Sequence, residues 1–194
     1  MALILAAGES RRMGCPKALL RVGDRCALDR IRETLRAAGI RSHRIVLADP
    51  HEQAIRATAD LEGAEVVSNP EPARGRTSSI QAGLGAPLPE QAILLWPVDQ
   101  PFVRAETVRT LLGRFQPGAV SVPEHEGRGG HPILIPASRA EEIRALAPDE
   151  PLRELVRKVP AQRVPVADPF VTLDVNTPEE FEAAMRKLET GTEG

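Results

Sequence analysis

Short apolar runs alternate with amphipathic segments along most of the chain. The runs are typical of strands buried on both faces of a sheet, and the amphipathic segments repeat their apolar residues at helical spacing. The predicted strands are residues 2–7, 44–48, 64–68, 92–98, 119–123 and 132–136, and residues 163–167 and 170–175 are predicted to be extended. The predicted helices are residues 28–38, 52–61, 77–84, 106–115, 139–146 and 152–159.

Local residues mark the ends of several helices. Gly39 follows the first helix at the position where a glycine commonly ends a helix. Hydroxyl residues at 77–79 are suited to cap the helix that they open. A last helix is predicted to begin after Thr177, because Thr177, Pro178 and Glu180 form a capping box with a proline at the first helical position.

Strands that alternate with helices predict βαβ units and an α/β fold, with a mainly parallel, twisted sheet and helices on both faces. The 194 residues suit one domain with a continuous core, and neither a linker nor an internal repeat divides them. A single domain over residues 1–194 is therefore expected. In such a sheet, ligands bind beyond the carboxyl ends of the strands.

Composition and charge exclude several classes of protein. With 42% hydrophobic residues, 27% charged residues and a net charge of −2, no surface for nucleic acid or anionic membrane is expected. Cys15 and Cys26 form neither a disulfide framework nor a metal-ligand spacing with the four histidines. The apolar start ends at Gly8, too early for a secretion signal, and no run approaches the roughly 18 apolar residues of a membrane span. A soluble, cytoplasmic protein is expected.

The segment after the first predicted strand combines glycines with cations. Glycines let backbone N–H groups approach phosphate oxygens, and Arg and Lys side chains neutralise the phosphate charge. These residues are Gly8, Gly14, Arg11, Arg12 and Lys17. Their spacing differs from that of a P-loop, since Lys17 comes three residues after Gly14. A polyphosphate site is predicted, and the alternative is a surface loop that is merely basic.

Acceptor side chains follow two later segments. Asp99 ends the very apolar strand 92–98, and Asp174 and Asn176 share one face of an extended segment. Mg²⁺ takes one or two protein carboxylates and completes its shell with water and phosphate oxygens. Mg²⁺ at Asp99 with Asp174 or Asn176 is predicted, and the alternative is that these residues only cap or shape turns.

Two further segments carry weaker indications. The start of the helix at 77–84 offers hydroxyl and N–H groups for a base edge or a phosphate, or simply for a cap. The glycine-rich loop at 127–132 carries Arg128 and His131 and is suited to an anionic acceptor. A lone histidine is more often structural than catalytic, and the sequence contains no Ser/His/Asp or Cys/His arrangement for nucleophilic catalysis.

Together these residues resemble the MobA-like nucleotidyltransferase family, and within it the molybdenum cofactor cytidylyltransferases. The shared blocks are Leu-Ala-Ala-Gly-x-Ser-x-Arg-Met-Gly-x-Pro-Lys at 5–17, Ser-Ile-x-x-Gly-Leu at 79–84, Asp-Gln-Pro at 99–101, Gly-His-Pro at 130–132 and Asp-Val-Asn-Thr-Pro-Glu at 174–179. They span nearly the whole chain in the order of the family, and the first block is the most specific. The resemblance implies a Rossmann-like fold of the nucleotide-diphospho-sugar transferase type.

Carried over to this chain, the resemblance implies a role for each matching residue. Nucleotide-binding residues would be Leu5, Ala6, Ala7, Gly8, Arg12, Lys17, Ser79 and Gly83, with Lys17 nearest the α-phosphate and Ser79 and Gly83 by the base. Lys17, Arg12 and Asp99 would be catalytic. Asp99 would hold Mg²⁺ with Asp174 or Asn176, and Arg128 and His131 would bind the acceptor.

The implied reaction moves CMP from CTP to the terminal phosphate of molybdopterin that already carries molybdenum, and expels pyrophosphate. A molybdoenzyme would then receive the product. Ala6-Ala7-Gly8 is closer to the cytidylyl than to the guanylyl branch, although sugar-phosphate uridylyltransferases share it. Residues 148–153 read Pro-Asp-Glu-Pro-Leu-Arg where relatives often have Gly-Asp-x-Gly-Ala-Arg. GTP as donor, a sugar phosphate as acceptor, and a nucleotide-binding delivery partner without turnover are the open alternatives.

Overall fold

The computed structural model describes residues 1–85, 91–147 and 150–190. The strands are β1 (Ala2–Leu5), β2 (Arg21–Val22), β3 (Arg25–Cys26), β4 (His43–Leu47), β5 (Glu65–Ser68), β6 (Ala92–Pro97), β7 (Val120–His125), β8 (Arg128–Gly129), β9 (Ile133–Pro136) and β10 (Ala161–Pro165). The helices are α1 (Ala27–Ala37), α2 (Glu52–Thr58), α3 (Arg76–Gly83), α4 (Ala105–Gly113), α5 (Ala140–Arg144), α6 (Leu152–Lys158) and α7 (Pro178–Thr190). Pro148 and Asp149, which open the stretch that departs from the family pattern, lie outside the described residues.

The main sheet has the order β10-β7-β9-β6-β1-β4-β5, and β8 pairs with β7. Strands β5, β4, β1 and β6 run parallel to one another, and β7 runs parallel to β10. Strand β9 runs antiparallel to both β6 and β7. The prediction of a mainly parallel α/β sheet is therefore confirmed, while the short β2–β3 hairpin was not indicated by the pattern.

Helices cover both faces of this sheet, as predicted. Alternate residues of a strand point to opposite faces, so Ile4 and Leu3 of β1 belong to two different apolar clusters. Helices α1, α2, α4 and α7 bury residues in the cluster that contains Ile4. Helices α3, α5 and α6 do so in the cluster that contains Leu3. The two layers leave the carboxyl edge of the parallel strands open between them.

Two local predictions about helix starts had different outcomes. The capping box is confirmed, because Thr177 Oγ1 accepts from the N–H of Glu180 at 3.3 Å and the Glu180 carboxylate accepts from the N–H of Thr177 at 3.1 Å. The hydroxyl cap of α3 was wrong. That helix begins at Arg76 after Gly75, and the Ser78 hydroxyl donates to the Gly75 carbonyl at 2.8 Å instead of capping.

The extended conformation predicted for residues 170–175 was also wrong over its first part. Pro169–Thr172 form a 3-10 turn, because the Asp168 carboxylate accepts from the N–H of Phe170 at 3.1 Å and holds the chain in a turn. This turn places Phe170 in the core, 5.6 Å from the ring of Phe102. None of the helices in the described residues is long and apolar enough to cross a membrane.

Gly83 at the end of α3 is a packing residue in this fold. A Cβ atom there would overlap the side chain of Leu3 and lie 2.8 Å from Val46 Cγ2, both fully buried. We expect Gly83→Ala to lower the free energy of unfolding by about 1–3 kcal/mol, as overpacking does. Urea unfolding measures this, with Gly113→Ala as the matched control, because a Cβ at Gly113 meets nothing within 4 Å. Unchanged stability with an altered nucleotide preference would instead place Gly83 beside the base.

Candidate functional site

The site lies where the strand order of the sheet reverses. From β1 the chain moves to β4 and β5 on one side, and it later returns to the other side as β6. Leu5 of β1 lies opposite Pro97 of β6, so the segments that follow these strands start side by side. Such a switch point at the carboxyl edge is the usual ligand position in open α/β sheets.

The segment after β1 is folded back by its own side chains. Ser10 has a φ of 51°, and its Oγ accepts from the N–H of Lys17 at 3.1 Å. The ring nitrogen Nε2 of His51 lies 2.8 Å from the Glu9 carbonyl oxygen, which can only accept, so an Nε2–H donates this hydrogen bond. Both contacts hold the loop so that Lys17 faces β6. The sequence pattern indicated the glycines and cations of this loop, but not the role of His51 from the β4–α2 turn.

Lys17 reaches the two other segments that sequence analysis singled out. Its Nζ donates to Asn176 Oδ1 at 2.7 Å and lies 3.9 Å from Asp99 Oδ2. The side chains of Lys17 and Asp99 are only 15% and 13% exposed. Burial lowers the pKa of Lys17, and the charge of Asp99 opposes that shift. Burial likewise raises the pKa of the Asp99 carboxyl, against the cations Arg76 and Lys17.

Arg76 is a site residue that the sequence pattern did not indicate. Its Nη2 lies 3.5 Å from Asp99 Oδ2, and its side chain is 56% exposed. It begins α3, where the helix dipole disfavours a cation and favours an anion. A cation at this unfavourable position, directly before the hydroxyl residues of the 77–84 segment, is the feature that could have drawn attention to it.

Asp174 fits a divalent cation better than Asn176 does. The Val175 N–H donates to the Asp99 carbonyl at 2.8 Å, which ties this segment to the end of β6. Asp174 Oδ1 accepts from Gln100 Nε2 at 2.6 Å, whereas Asn176 Oδ1 is already occupied by Lys17. The charge of Asp174 contributes to the raised pKa of Asp99, so the two carboxylates act on the same small region. The two carboxylates could hold a divalent cation, whose charge would offset this repulsion.

No cluster of three or more potential metal ligands occurs among the described His, Cys, Asp and Glu residues. A cation at Asp99 and Asp174 would therefore need oxygen ligands from elsewhere. Mg²⁺ characteristically accepts such an arrangement, with substrate phosphates and water completing its shell. The residues present suit a cation that arrives with a phosphorylated ligand.

A first cavity of about 210 Å³ opens between the loop after β1, the end of β6 and the start of α3. Predicted site residues that line it are Leu5, Ala6, Ala7, Gly8, Lys17, Ser79 and Asp99. Ser79 Oγ accepts from the buried amide of Asn69 at 3.0 Å, which leaves its O–H to donate to a ligand. The sequence pattern did not indicate Asn69.

Two predicted nucleotide residues lie outside this cavity. Gly83 packs against β1 and β4 at the far end of α3, so its position does not bring it to the cavity. Arg12 is exposed on the loop and does not line the cavity. It lies near enough to Lys17 that its charge lowers the pKa of Lys17.

A second cavity of about 670 Å³ adjoins the first, because Gly75 and Arg76 line both. Its apolar walls include Leu95, Val122, Ile133, Leu152 and Val156, and its cations are Arg74, Arg76, Arg153 and Arg163. Gly129 also lines this cavity, and a Cβ there would overlap the guanidinium of Arg163. An apolar body bearing negative charge suits such a surface.

The two predicted acceptor residues lie in different places. His131 lines the second cavity, and burial, followed by the charge of Arg76, lowers its pKa to about 4. It is therefore neutral at pH 7 and can offer a hydrogen bond without adding charge. Arg128 is exposed on β8, opposite His125, and does not line this cavity. Arg163 on β10 supplies a cation there instead.

The fold and the position of the site are those of α/β proteins that bind nucleotides at the switch point of a parallel sheet. The sequence profile of the MobA-like NTP transferase domain matches residues 2–164. The chain belongs to this family, and it is an enzyme of the nucleotidyltransferase class.

Individual relatives cover nearly the whole chain. The nicotine blue oxidoreductase of Paenarthrobacter nicotinovorans is 32% identical over 190 residues, which cover 92% of this chain and 93% of that protein. The crystal structure of Rv0371c from Mycobacterium tuberculosis H37Rv is 28% identical, with a TM-score of 0.83 over 95% of this chain and 97% of that one. A structure of Rv0371c in complex with manganese is 26% identical, with a TM-score of 0.81 over 95% and 97% of the two chains.

Proposed function

We propose that this enzyme transfers CMP from CTP to the terminal phosphate of molybdopterin carrying molybdenum, with Mg²⁺ as its divalent cation and pyrophosphate as the leaving group. One observation carries the proposal: two cavities of different character meet at Gly75 and Arg76, and Arg76 lies 3.5 Å from Asp99, which lines the smaller cavity together with Lys17. A transfer between two substrates requires such a junction, since the donor and the acceptor must meet at one phosphorus atom.

The smaller cavity suits the nucleotide. Its wall at Ala6, Ala7 and Gly8 brings backbone close to the ligand, and a Cβ at Gly8 would meet nothing within 4 Å. Lys17 supplies positive charge to this cavity, and the Ser79 hydroxyl offers a donor to a base or sugar. The similar protein Rv0371c has been crystallised in complex with manganese, which supports a divalent cation for this enzyme.

The larger cavity suits a flat acceptor that carries phosphate. Apolar walls of Leu95, Val122 and Ile133 can cover the faces of a ring system. Arginine binds phosphate through two parallel N–H donors and also stacks on planar groups, so the arginines of this cavity can serve both parts of a pterin phosphate.

In the proposed reaction, an oxygen of the acceptor phosphate attacks the α-phosphorus of CTP. A new oxygen–phosphorus bond forms, and the bond to the oxygen that bridges the α- and β-phosphates breaks. Negative charge grows on the α-phosphate oxygens and on the departing pyrophosphate, and Lys17 is placed to neutralise it. A divalent cation held by Asp99 and Asp174 would supply further positive charge. Asn176 holds Lys17 in position through its 2.7 Å hydrogen bond.

Oxidoreductase activity is a second candidate, because the relative that is 32% identical over 190 residues is a nicotine blue oxidoreductase. The larger apolar cavity could also hold an aromatic redox substrate. An oxidation or reduction releases no pyrophosphate, so this product separates the two chemistries. The preferred nucleotide separates GTP as donor from the proposal, and a panel of acceptors separates a sugar phosphate as acceptor. Pyrophosphate release separates binding without turnover.

The nucleotide part of the proposal predicts selective stabilisation by CTP. We expect CTP with Mg²⁺ to raise the melting temperature, since a ligand at a hundred times its Kd stabilises the folded state by roughly 2.7 kcal/mol. A thermal-shift panel of CTP, GTP, UTP and ATP, with and without Mg²⁺, measures this. Lys17→Ala should lose the shift, and Lys158→Ala should keep it because Lys158 is 70% exposed and paired with Glu150. A larger shift with GTP or UTP would contradict the cytidylyl assignment.

A further inference from the structure

Arg76 is the charged side chain that the two cavities share. Gly75 and Arg76 line both cavities, whereas Arg74, Arg153 and Arg163 line only the larger one. We propose that Arg76 is a further catalytic residue: it binds the phosphate of the acceptor, and it becomes available when Asp99 takes up the divalent cation that accompanies the nucleotide. This inference rests on the proposed function and adds to it an order of binding.

The partner of Arg76 in the described structure is weakly held. Asp99 is the carboxylate within ion-pair distance, and its Oδ2 lies 3.5 Å from Arg76 Nη2. An N–H···O hydrogen bond typically spans 2.7–3.2 Å, so this contact is an ion pair without a well-formed hydrogen bond. The Arg76 side chain is 56% exposed, and such a half-exposed pair contributes little to stability. Arg76 can therefore change partners at small energetic cost.

Once a cation binds to Asp99, this carboxylate can no longer neutralise both Lys17 and Arg76. It lies 3.9 Å from Lys17 and 3.5 Å from Arg76, and it is the most buried carboxylate at the junction. A divalent cation bound to Asp99 would neutralise the negative charge of this carboxylate and would repel the guanidinium of Arg76. Arg76 would then have lost its counter-charge at the mouth of the larger cavity, where neutral His131 offers it none.

The acceptor needs a cation at this position. Its phosphate must approach a triphosphate, and two anions at such short range repel each other. A guanidinium between them can donate to the acceptor phosphate with two parallel N–H groups and orient the attacking oxygen. Bound nucleotide and cation would thus raise the affinity of the enzyme for the acceptor. By thermodynamic linkage, bound acceptor would raise the affinity for the nucleotide and the cation by the same factor.

Binding of inorganic phosphate tests this without turnover. The probe is titrated into the protein alone and into its complex with Mg²⁺ and CTP that carries an α,β-methylene bridge. We expect the wild type to bind phosphate roughly tenfold more tightly in the complex, a typical size for coupling between sites. Arg76→Gln should lose this difference and keep its affinity for the nucleotide within about threefold, while Arg76→Lys should recover part of the coupling. Arg186→Gln, on the exposed face of α7, should behave as the wild type.

Turnover provides an independent second readout. In Arg76→Gln, kcat/KM for the acceptor should fall by about a hundredfold, the loss expected for one charge-stabilising donor. The role of Arg76 would be overturned if Arg76→Gln still bound phosphate more tightly in the nucleotide complex than alone. It would also be overturned if the main effect of this substitution were a loss of affinity for the nucleotide. A wild type that releases no pyrophosphate with any acceptor would instead contradict the proposed function, so the two failures are distinguishable.

Discussion

Lys17→Ala is expected to lower kcat by roughly 10²–10³, the effect of losing one preorganised charge-stabilising donor. Lys17 is the most buried cation at the junction, 15% exposed, and its Nζ is fixed by Asn176 at 2.7 Å. A fixed charge in a poorly solvated site stabilises developing negative charge more strongly than a mobile surface charge does. The measurement is steady-state pyrophosphate release at saturating nucleotide and acceptor.

The fold should survive this substitution. Burial lowers the pKa of Lys17, which means that the folded state disfavours its charged form, so removing the charge should not destabilise the protein strongly. Lys158→Ala is the matched control, since that lysine lies outside both cavities. A loss of kcat below about tenfold would remove Lys17 from the centre of the reaction.

Asp99→Asn is expected to raise the divalent cation concentration needed for half-maximal activity by at least about tenfold, because an amide is a poorer ligand than a carboxylate for this hard cation. The variant should be at least as stable as the wild type at pH 7. The pKa of Asp99 is raised by burial, so its ionised form is disfavoured in the folded state. Stability contributed by such a group is lost as pH rises through its folded pKa, and an uncharged amide avoids that loss.

The same raised pKa predicts a pH dependence. Cation binding requires the carboxylate form of Asp99, so kcat/KM should fall as the pH drops through a pKa that lies above the ordinary aspartate value of 3.8. Asp99→Asn should lack this acid limb. Unchanged activity, cation dependence and pH profile in the variant would show that Asp99 only shapes the turn after β6.

Much of the fold followed from local patterns in the sequence. The strands β1, β4 and β6 were predicted because parallel strands buried on both faces are short and largely apolar. The turn at Pro169–Thr172 was missed because Asp168 fixes it by contacts with residues far away in sequence, including a 2.6 Å hydrogen bond from Thr107 Oγ1. Periodicity cannot report such contacts.

The candidate site was predicted only in part, because local sequence reveals some of its residues and packing between distant segments places the others. Lys17, Asp99 and Asn176 follow three segments whose ends carry recognisable residues, and the sheet brings them together. Which strands are neighbours is decided by packing across the whole sheet, so the sequence did not show that α3 would place Arg76 beside Asp99. The same applies to Arg163, which takes the place in the larger cavity that the glycine-rich loop led us to expect for Arg128.

The most direct measurement is CMP transfer itself. Wild-type protein is mixed with Mg²⁺, molybdopterin carrying molybdenum and CTP labelled at the α-phosphate, and both pyrophosphate and labelled acceptor are quantified. Equal amounts of the two products, formed by the wild type and lost in Lys17→Ala, are the predicted result. Absence of pyrophosphate with CTP, GTP, UTP and ATP across phosphorylated acceptors, together with oxidation or reduction of an aromatic substrate, would contradict nucleotidyl transfer at this site.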